Sequence, residues 1–224
     1  TGNYFRKVGK PLYNYYDYKY AGVDPETGDA LYWADELDEN KNVIGKKTVN
    51  STSLATRYEL DKSPIPTLYG GFSTNFEFMG FDLAASFAYQ IGGWVYDSLY
   101  SGFMSAGKPG DNWHKDILNR WTPENKYTDV PRLQLSSMDQ GCSADRNLTK
   151  ASYLSLRNLT FGYSLPKRWI SKAKIEKLRF YLVGDNMFLL SKRRGFDPRQ
   201  SITGDTGYNY SAMRTVSFGI NLEF

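Results

Sequence analysis

Arg214-Thr215-Val216-Ser217-Phe218-Gly219-Ile220-Asn221-Leu222-Glu223-Phe224 is the stretch that decides the fold. Val216, Phe218, Ile220, Leu222 and Phe224 are apolar, and small or polar residues stand between them. Successive side chains of a strand point to opposite faces. Unbroken alternation therefore sets one face against something apolar and the other against something wet. The stretch also has the length, about 9–11 residues, that a tilted β-strand needs to cross a bilayer.

The same alternation recurs upstream. Gly70, Phe72, Thr74, Phe76 and Phe78 alternate with Gly71, Ser73, Asn75 and Glu77. After Met79-Gly80, Phe81, Leu83, Ala85, Phe87 and Tyr89 alternate with Asp82, Ala84, Ser86, Ala88 and Gln90. Two alternating runs separated by a two-residue Gly turn predict a β-hairpin. Weaker alternation predicts strands near 153–163 and 177–187. There Leu159, Phe161 and Tyr163 share a parity with Arg157, so either the Arg157 end stands above the membrane or a bulge shifts the register. Five membrane-type strands result, at about 68–78, 81–90, 153–163, 177–187 and 214–224. The turns after Phe78 and Tyr163 are short, whereas the segments before 68, between 90 and 152 and between 187 and 213 are long. Transmembrane barrels have short turns on one side and long loops on the other, and every long segment falls on the outer side when counted back from the last strand. The expected organisation is an extracellular loop region at 1–66, a hairpin at 67–90, an extracellular loop at 91–151 and three strands within 152–224. Residues 72, 76, 78, 81, 83, 87, 216, 218, 220 and 222 are expected to face lipid. Asn75, Glu77, Asp82, Asn221 and Glu223 are expected to face the lumen.

Composition agrees with an all-β membrane protein. The chain of 224 residues holds 18 Tyr, 13 Phe and 5 Trp, yet its mean hydropathy is −0.55. No run reaches the ~18 apolar residues of a membrane-spanning helix, and a barrel keeps hydropathy low through its polar lumen and loops. The net charge of +4 is small, and no basic stripe points to nucleic acid. Cys142 is the single cysteine, flanked by Gly141 and Ser143 as in a loop, and forms no disulfide within the chain. Thr1-Gly2-Asn3-Tyr4 lacks a signal-peptide pattern, so the expectation is the C-terminal portion of a longer exported chain.

Several segments together resemble the SusC/RagA family of TonB-dependent outer-membrane transporters. They are Tyr18-Lys19-Tyr20-Ala21-Gly22-Val23-Asp24-Pro25-Glu26-Thr27-Gly28-Asp29, Tyr69 to Leu83, and Ala151 to Pro166. Leu178-Arg179-Phe180-Tyr181, Asp185-Asn186, Gly195-Phe196-Asp197-Pro198 and Arg214-Thr215 follow in the family's order. Two departures stand out: Asp185 replaces a frequent Gln, and Tyr210-Ser211-Ala212-Met213 lacks the Pro expected before Arg214. The resemblance implies the C-terminal strands of a large antiparallel barrel of about 22 strands with a plugged lumen. It implies residence in the bacterial outer membrane and uptake of oligosaccharides or peptides. It implies a SusD-like surface lipoprotein as partner, and TonB reached through the region N-terminal to this chain. The terminal strand, with Phe218, Leu222 and Phe224, resembles the signal read by the barrel-assembly machinery.

Catalysis has little support. His114 is the only histidine, so neither a His-based triad nor a multi-His metal site can be assembled. Carboxylates concentrate in turns, where Asp has a structural role. Asp24, Glu26 and Asp29 offer oxygens suited to Ca²⁺ but lack the EF-hand pattern. No enzyme activity, metal or cofactor is expected. Tyr13, Tyr15, Tyr16, Tyr18, Trp33 and Trp94 are the candidate substrate-binding or lipoprotein-interface residues, because aromatic faces stack on sugars and side chains while their polar tips hydrogen-bond. Loop packing explains the same residues without a ligand. The competing reading of the whole chain is a soluble, aromatic-rich β-sandwich that binds glycans, with Phe72, Phe76 and Phe218 packed on a second sheet.

Overall fold

The computed structural model describes residues 4–105, 110–134, 144–207 and 210–224. Cys142 and its neighbours lie outside the described residues. Strands β1 (Tyr4–Phe5), β2 (Asn14–Tyr18), β3 (Tyr20–Val23), β4 (Ala30–Leu37), β5 (Val43–Val49) and β6 (Arg57–Glu59) precede a long hairpin of β7 (Leu68–Phe78) and β8 (Phe81–Ile91). Strand β9 (Trp94–Tyr96), helix α1 (Ser98–Met104) and β10 (Leu148–Lys150) follow. The chain continues through β11 (Tyr153–Ser164), helix α2 (Lys167–Ile170), β12 (Lys177–Leu190) and β13 (Thr215–Glu223). It divides into two compact units.

The unit made of 66–93, 151–200 and 209–224 is one antiparallel sheet in the order β13-β12-β11-β8-β7. Its hairpin turns at Met79 and Gly80 with φ of 48° and 87°. Positive φ at both central residues marks a type I′ turn, whose twist matches that of the strands it joins. Phe78 then faces Phe81 and every following pair is in register to Leu68 and Ile91.

Cross-strand partners share a face. One row runs Phe76, Leu83, Phe161, Leu182, Phe218, and the next runs Phe78, Phe81, Tyr163, Phe180, Ile220. The same face carries ring contacts, with Phe72 stacked on Phe87 at 4.7 Å and Phe81 tilted against Tyr163 at 4.4 Å between centroids. No second sheet covers them among the described residues: Phe76 is 64% exposed and Phe218 63%. The opposite face carries the row Asn75, Ala84, Thr160, Val183, Ser217 and the row Glu77, Asp82, Gly162, Tyr181, Gly219. Asn221 opposite Arg179 and Glu223 opposite Lys177 belong to it too.

The register of β11 shifts between Leu156 and Asn158 against both neighbours. Leu156 pairs with Phe87 and Asn158 with Ser86, so Arg157 is the extra residue of a bulge. The bulge keeps Leu156 on the apolar face with Leu159 and Phe161 despite their opposite parities. It also explains why the alternation of this strand is broken in the sequence.

The unit made of 1–65, 94–150 and 201–208 holds three small sheets, β1-β2-β6, β3-β4-β5 and β9-β10. The sequence suggested extracellular loop regions here. Tyr15, Tyr16, Tyr18 and Tyr20 belong to two consecutive strands, β2 and β3. Tyr15, Leu60 and Leu148 form one core cluster with Tyr4, Tyr58, Trp94 and Tyr96 around it. Ala30, Tyr32 and Ala144 form a second, ringed by Tyr18 and Tyr20. Met104, Ile117 and Val130 form a third. Lys115–Asn119 form a 3₁₀ turn capped by the His114 side chain.

On the polar face of the large sheet, the Arg179 Nε donates to Asp82 at 2.8 Å, and an Nη of Arg179 bonds the other carboxylate oxygen. These residues sit on β12 and β8, two strands apart, and meet over Gly162 of the strand between. A Cβ at Gly162 would lie 2.4 Å from the Asp82 carboxylate. Gly162→Ala should therefore destabilise the full-length protein by about 1–3 kcal/mol, the range for a charge-assisted hydrogen-bonded pair. In an Asp82→Asn/Arg179→Gln background the same change should cost less than about 0.5 kcal/mol. Heat-denaturation midpoints of the four proteins check this; equal losses in both backgrounds would show that Gly162 does not serve the ion pair.

Candidate functional site

The six candidate aromatics do not form one platform. Tyr15 is 2% exposed, and its hydroxyl lies 2.6 Å from the Gly204 carbonyl and 3.1 Å from that of Trp94. Burial first, and then the nearby Tyr4, push its phenol well above the usual tyrosine range. Both ends of Tyr15 are thus engaged within its own unit. Trp94 is half-buried in the same cluster, with the Lys62 ammonium 4.7 Å from its ring. Tyr13 meets the Tyr4 ring edge-on at 5.5 Å. Tyr16 and Tyr18, two residues apart on β2, share a face, and the Arg57 guanidinium lies 5.4 Å from one ring and 5.6 Å from the other. A cation held against aromatic faces is a stabilising contact, and it uses ring surface that a ligand would otherwise meet. Trp33, on β4, is exposed.

The turn at 24–29 is held by its own chemistry. Asp24 accepts from the Glu26 amide and the Thr27 hydroxyl, both at 2.9 Å. Asp29 accepts from Arg132 Nε at 2.9 Å and from Gln134 at 2.8 Å, and the Trp121 Nε1 donates to the Pro25 carbonyl at 3.1 Å. These carboxylates therefore face protein donors. His114 is occupied likewise: its Nδ1 accepts from the Asp116 amide at 3.2 Å and its ring meets Tyr100 at 4.9 Å.

The large sheet brings together residues that its sequence pattern did not single out. On its polar face, at the end away from the Met79-Gly80 turn, a cleft of about 540 Å³ is lined by Arg193, Arg194, Arg199, Arg214, Asp197 and Asn186 among others. A second cleft of about 370 Å³ shares Asn186, Asp197 and Arg199 and adds Arg157, Tyr153 and Ser155. Asp197 is buried and grips Arg199 in a fork, Nε to Oδ1 at 2.8 Å and Nη2 to Oδ2 at 2.7 Å. Burial alone would raise the Asp197 pKa; the Arg199 fork and amide overcome it and hold the carboxyl below its usual value. Asn158 donates to Asp185 at 2.8 Å on the same face, and Asn186 ties the approach to β13 through the Met213 carbonyl at 3.3 Å. The parity break at Arg157 was the one sequence signal for this region.

No protein-family model matches the sequence. TonB-dependent receptor P3 of Formosa agariphila is 26% identical over 97% of this chain, which spans 23% of that protein. TonB-dependent receptor SusC of Bacteroides thetaiotaomicron is 24% identical over 84% of the chain, or 18% of its own length. Among solved structures, the RagAB peptide importer in its open-open state superposes over 100% of this chain and 24% of its own, with a TM-score of 0.82 and 30% identity. A second RagAB structure gives 0.76 and 32% over 94% of this chain and 23% of its own. Over nearly its whole length the chain is similar to TonB-dependent receptors of the SusC and RagA kind. It spans about a quarter of the length of the relatives it matches. The match to these barrel structures assigns the five-stranded sheet to a run of transmembrane barrel strands, and among the described residues no second sheet packs on it as a sandwich would require.

The unit of small sheets carries a pH-sensitive group. Asp17 on β2 is buried, accepts from the Tyr18 amide at 2.9 Å and lies 3.8 Å from Arg57. Burial raises its pKa from 3.8 to about 6, against the lowering effects of the Tyr18 amide and Arg57. The folded unit thus binds this proton more tightly than the unfolded chain does, so stability is highest below about pH 4, declines up to about pH 6 and is flat above. Asp17→Asn should remove that slope and stabilise the unit by about 1–3 kcal/mol above pH 6. Thermal melting of the unit followed by aromatic fluorescence from pH 4 to 8 checks it; parallel profiles for the two proteins would contradict it.

Proposed function

We propose that this chain forms part of the wall and the external loops of a TonB-driven importer in the bacterial outer membrane. The cargo is oligopeptides or oligosaccharides, and a SusD-like surface lipoprotein is the outer partner. The observation that carries this reading is the two-faced sheet: apolar rows left uncovered on one side, polar and ionic rows on the other. In water, each such large side chain forgoes about 1.5–3 kcal/mol of burial; against lipid it does not. The match to a peptide importer along this whole chain supports the cargo class. The small sheets of the other unit fit the role of outer loops, with the exposed Trp33 offering aromatic surface to cargo or lipoprotein. The outer strands of the sheet, β7 and β13, present unpaired backbone, which in lipid must be satisfied by further strands of the same barrel. We also assign to Phe218, Leu222 and Phe224 the contact with the barrel-assembly machinery.

Uptake tests the proposal. Cells with and without the full-length protein would receive a fluorescent peptide mixture or labelled oligosaccharides, with and without a protonophore. The expected result is uptake of one cargo class that needs the protein and stops when the proton gradient is collapsed. Equal uptake of both classes in cells lacking the protein would overturn it.

A further inference from the structure

We propose that the arginine-lined cleft on the polar face of the sheet binds the carboxylate groups of a ligand. Five arginines, at 157, 193, 194, 199 and 214, line the two adjoining clefts, and Asp197 is the only carboxylate among the described lining residues. That carboxylate is already spent on Arg199 through two hydrogen bonds. The whole chain has a net charge of only +4, whereas this lining carries five cations to one carboxylate. Gathering like charges around a concave wall raises the energy of the empty site and focuses field on whatever anion enters. A guanidinium presents a planar fork that matches a carboxylate in two hydrogen bonds, which an ammonium cannot do. Asn186 and Ser211 add neutral polar groups to the lining, and Leu189, Leu190 and Phe196 add apolar surface.

The fold has made room for this. Ala88 and Ser155, opposite each other on β8 and β11, are small and floor the second cleft. The bulge at Arg157 matters most. Without it, this arginine would share the face of Leu159 and Phe161; with it, Arg157 joins Ser155 at the cleft. The combined space falls within the range of small-ligand sites, about 300–1,000 Å³. The carboxylate can come from an acidic peptide or from a uronate-bearing oligosaccharide. The inference rests on the import reading for the source of the ligand, while binding itself can be measured apart from transport.

The test uses the full-length protein purified in detergent. One pair of probes is an amidated tetrapeptide with two glutamates and its glutamine counterpart; the other is digalacturonate and its neutral methyl ester. In at least one pair the anionic probe should bind ten-fold or more tightly than its neutral twin, and the pair that discriminates identifies the source. Arg157→Gln/Arg214→Gln should abolish that discrimination and leave the neutral probe unchanged. Arg157→Lys/Arg214→Lys, which keeps the charge and loses the fork, should retain an intermediate preference. It also serves as the comparison should the glutamine variant fail to fold. Equal binding of anionic and neutral probes in both pairs, or full discrimination in every folded variant, would overturn the proposal. Discrimination in a protein that transports nothing would instead sink the import reading and leave the cleft standing.

Discussion

A sheet that is apolar on one side and polar on the other must find a different solvent for each. In this chain that requirement organises the larger unit. The rows through Phe76 and Phe78 run across five strands without interruption, and nothing among the described residues covers them. Slipping one strand by a single residue would turn its phenylalanines to the polar side and its Asn, Asp or Glu to the apolar side. Register is therefore fixed by the same pattern that fixes the environment. The type I′ turn at Met79-Gly80 fixes it locally for the first pair, and the ion pair over Gly162 links β8 to β12 across the strand between.

The bulge at Arg157 is where this rule is bent. An extra residue costs a rung of ladder pairing, yet it keeps both leucines at 156 and 159 on the apolar face and delivers a guanidinium to the polar one. The chain thereby gains a cationic wall without placing charge against lipid, where an arginine at mid-membrane costs about 2–4 kcal/mol. The Asp197 and Arg199 fork, in the loop beyond β12, adds to the same wall from a different part of the sequence.

What the sequence made legible follows from the range of the forces involved. Period-two alternation and a two-residue turn are local, so β7 and β8 were readable almost to the residue. β11 was readable as a strand, and its broken parity correctly allowed a bulge. β12 runs on to Leu190, past the expected end at 187, because its last residues pair with Leu154–Leu156 beyond the shift. The tyrosines of the other unit were visible as a group, but their roles were not. Tyr15 is fixed by a hydrogen bond to Gly204 across 189 residues of chain, a contact that no local pattern announces. For the same reason the arginines at 193, 194, 199 and 214 read as loop residues until the fold set them beside Arg157. The family resemblance supplied the expectation of a barrel, while the physics of the strands supplied the faces.

The central claim is that Phe76, Phe161, Leu182 and Phe218 meet lipid while their sequence neighbours meet water. Nitroxide labels placed singly at 75, 76, 160, 161, 182, 183, 217 and 218 of the full-length protein, reconstituted in bilayers, report this directly through collisions with oxygen and with a water-soluble nickel complex. The account predicts that 76, 161, 182 and 218 collide preferentially with oxygen and are shielded from nickel, and that 75, 160, 183 and 217 show the reverse balance. Labels at the first four positions shielded from both reagents would place them in a closed protein core and contradict it.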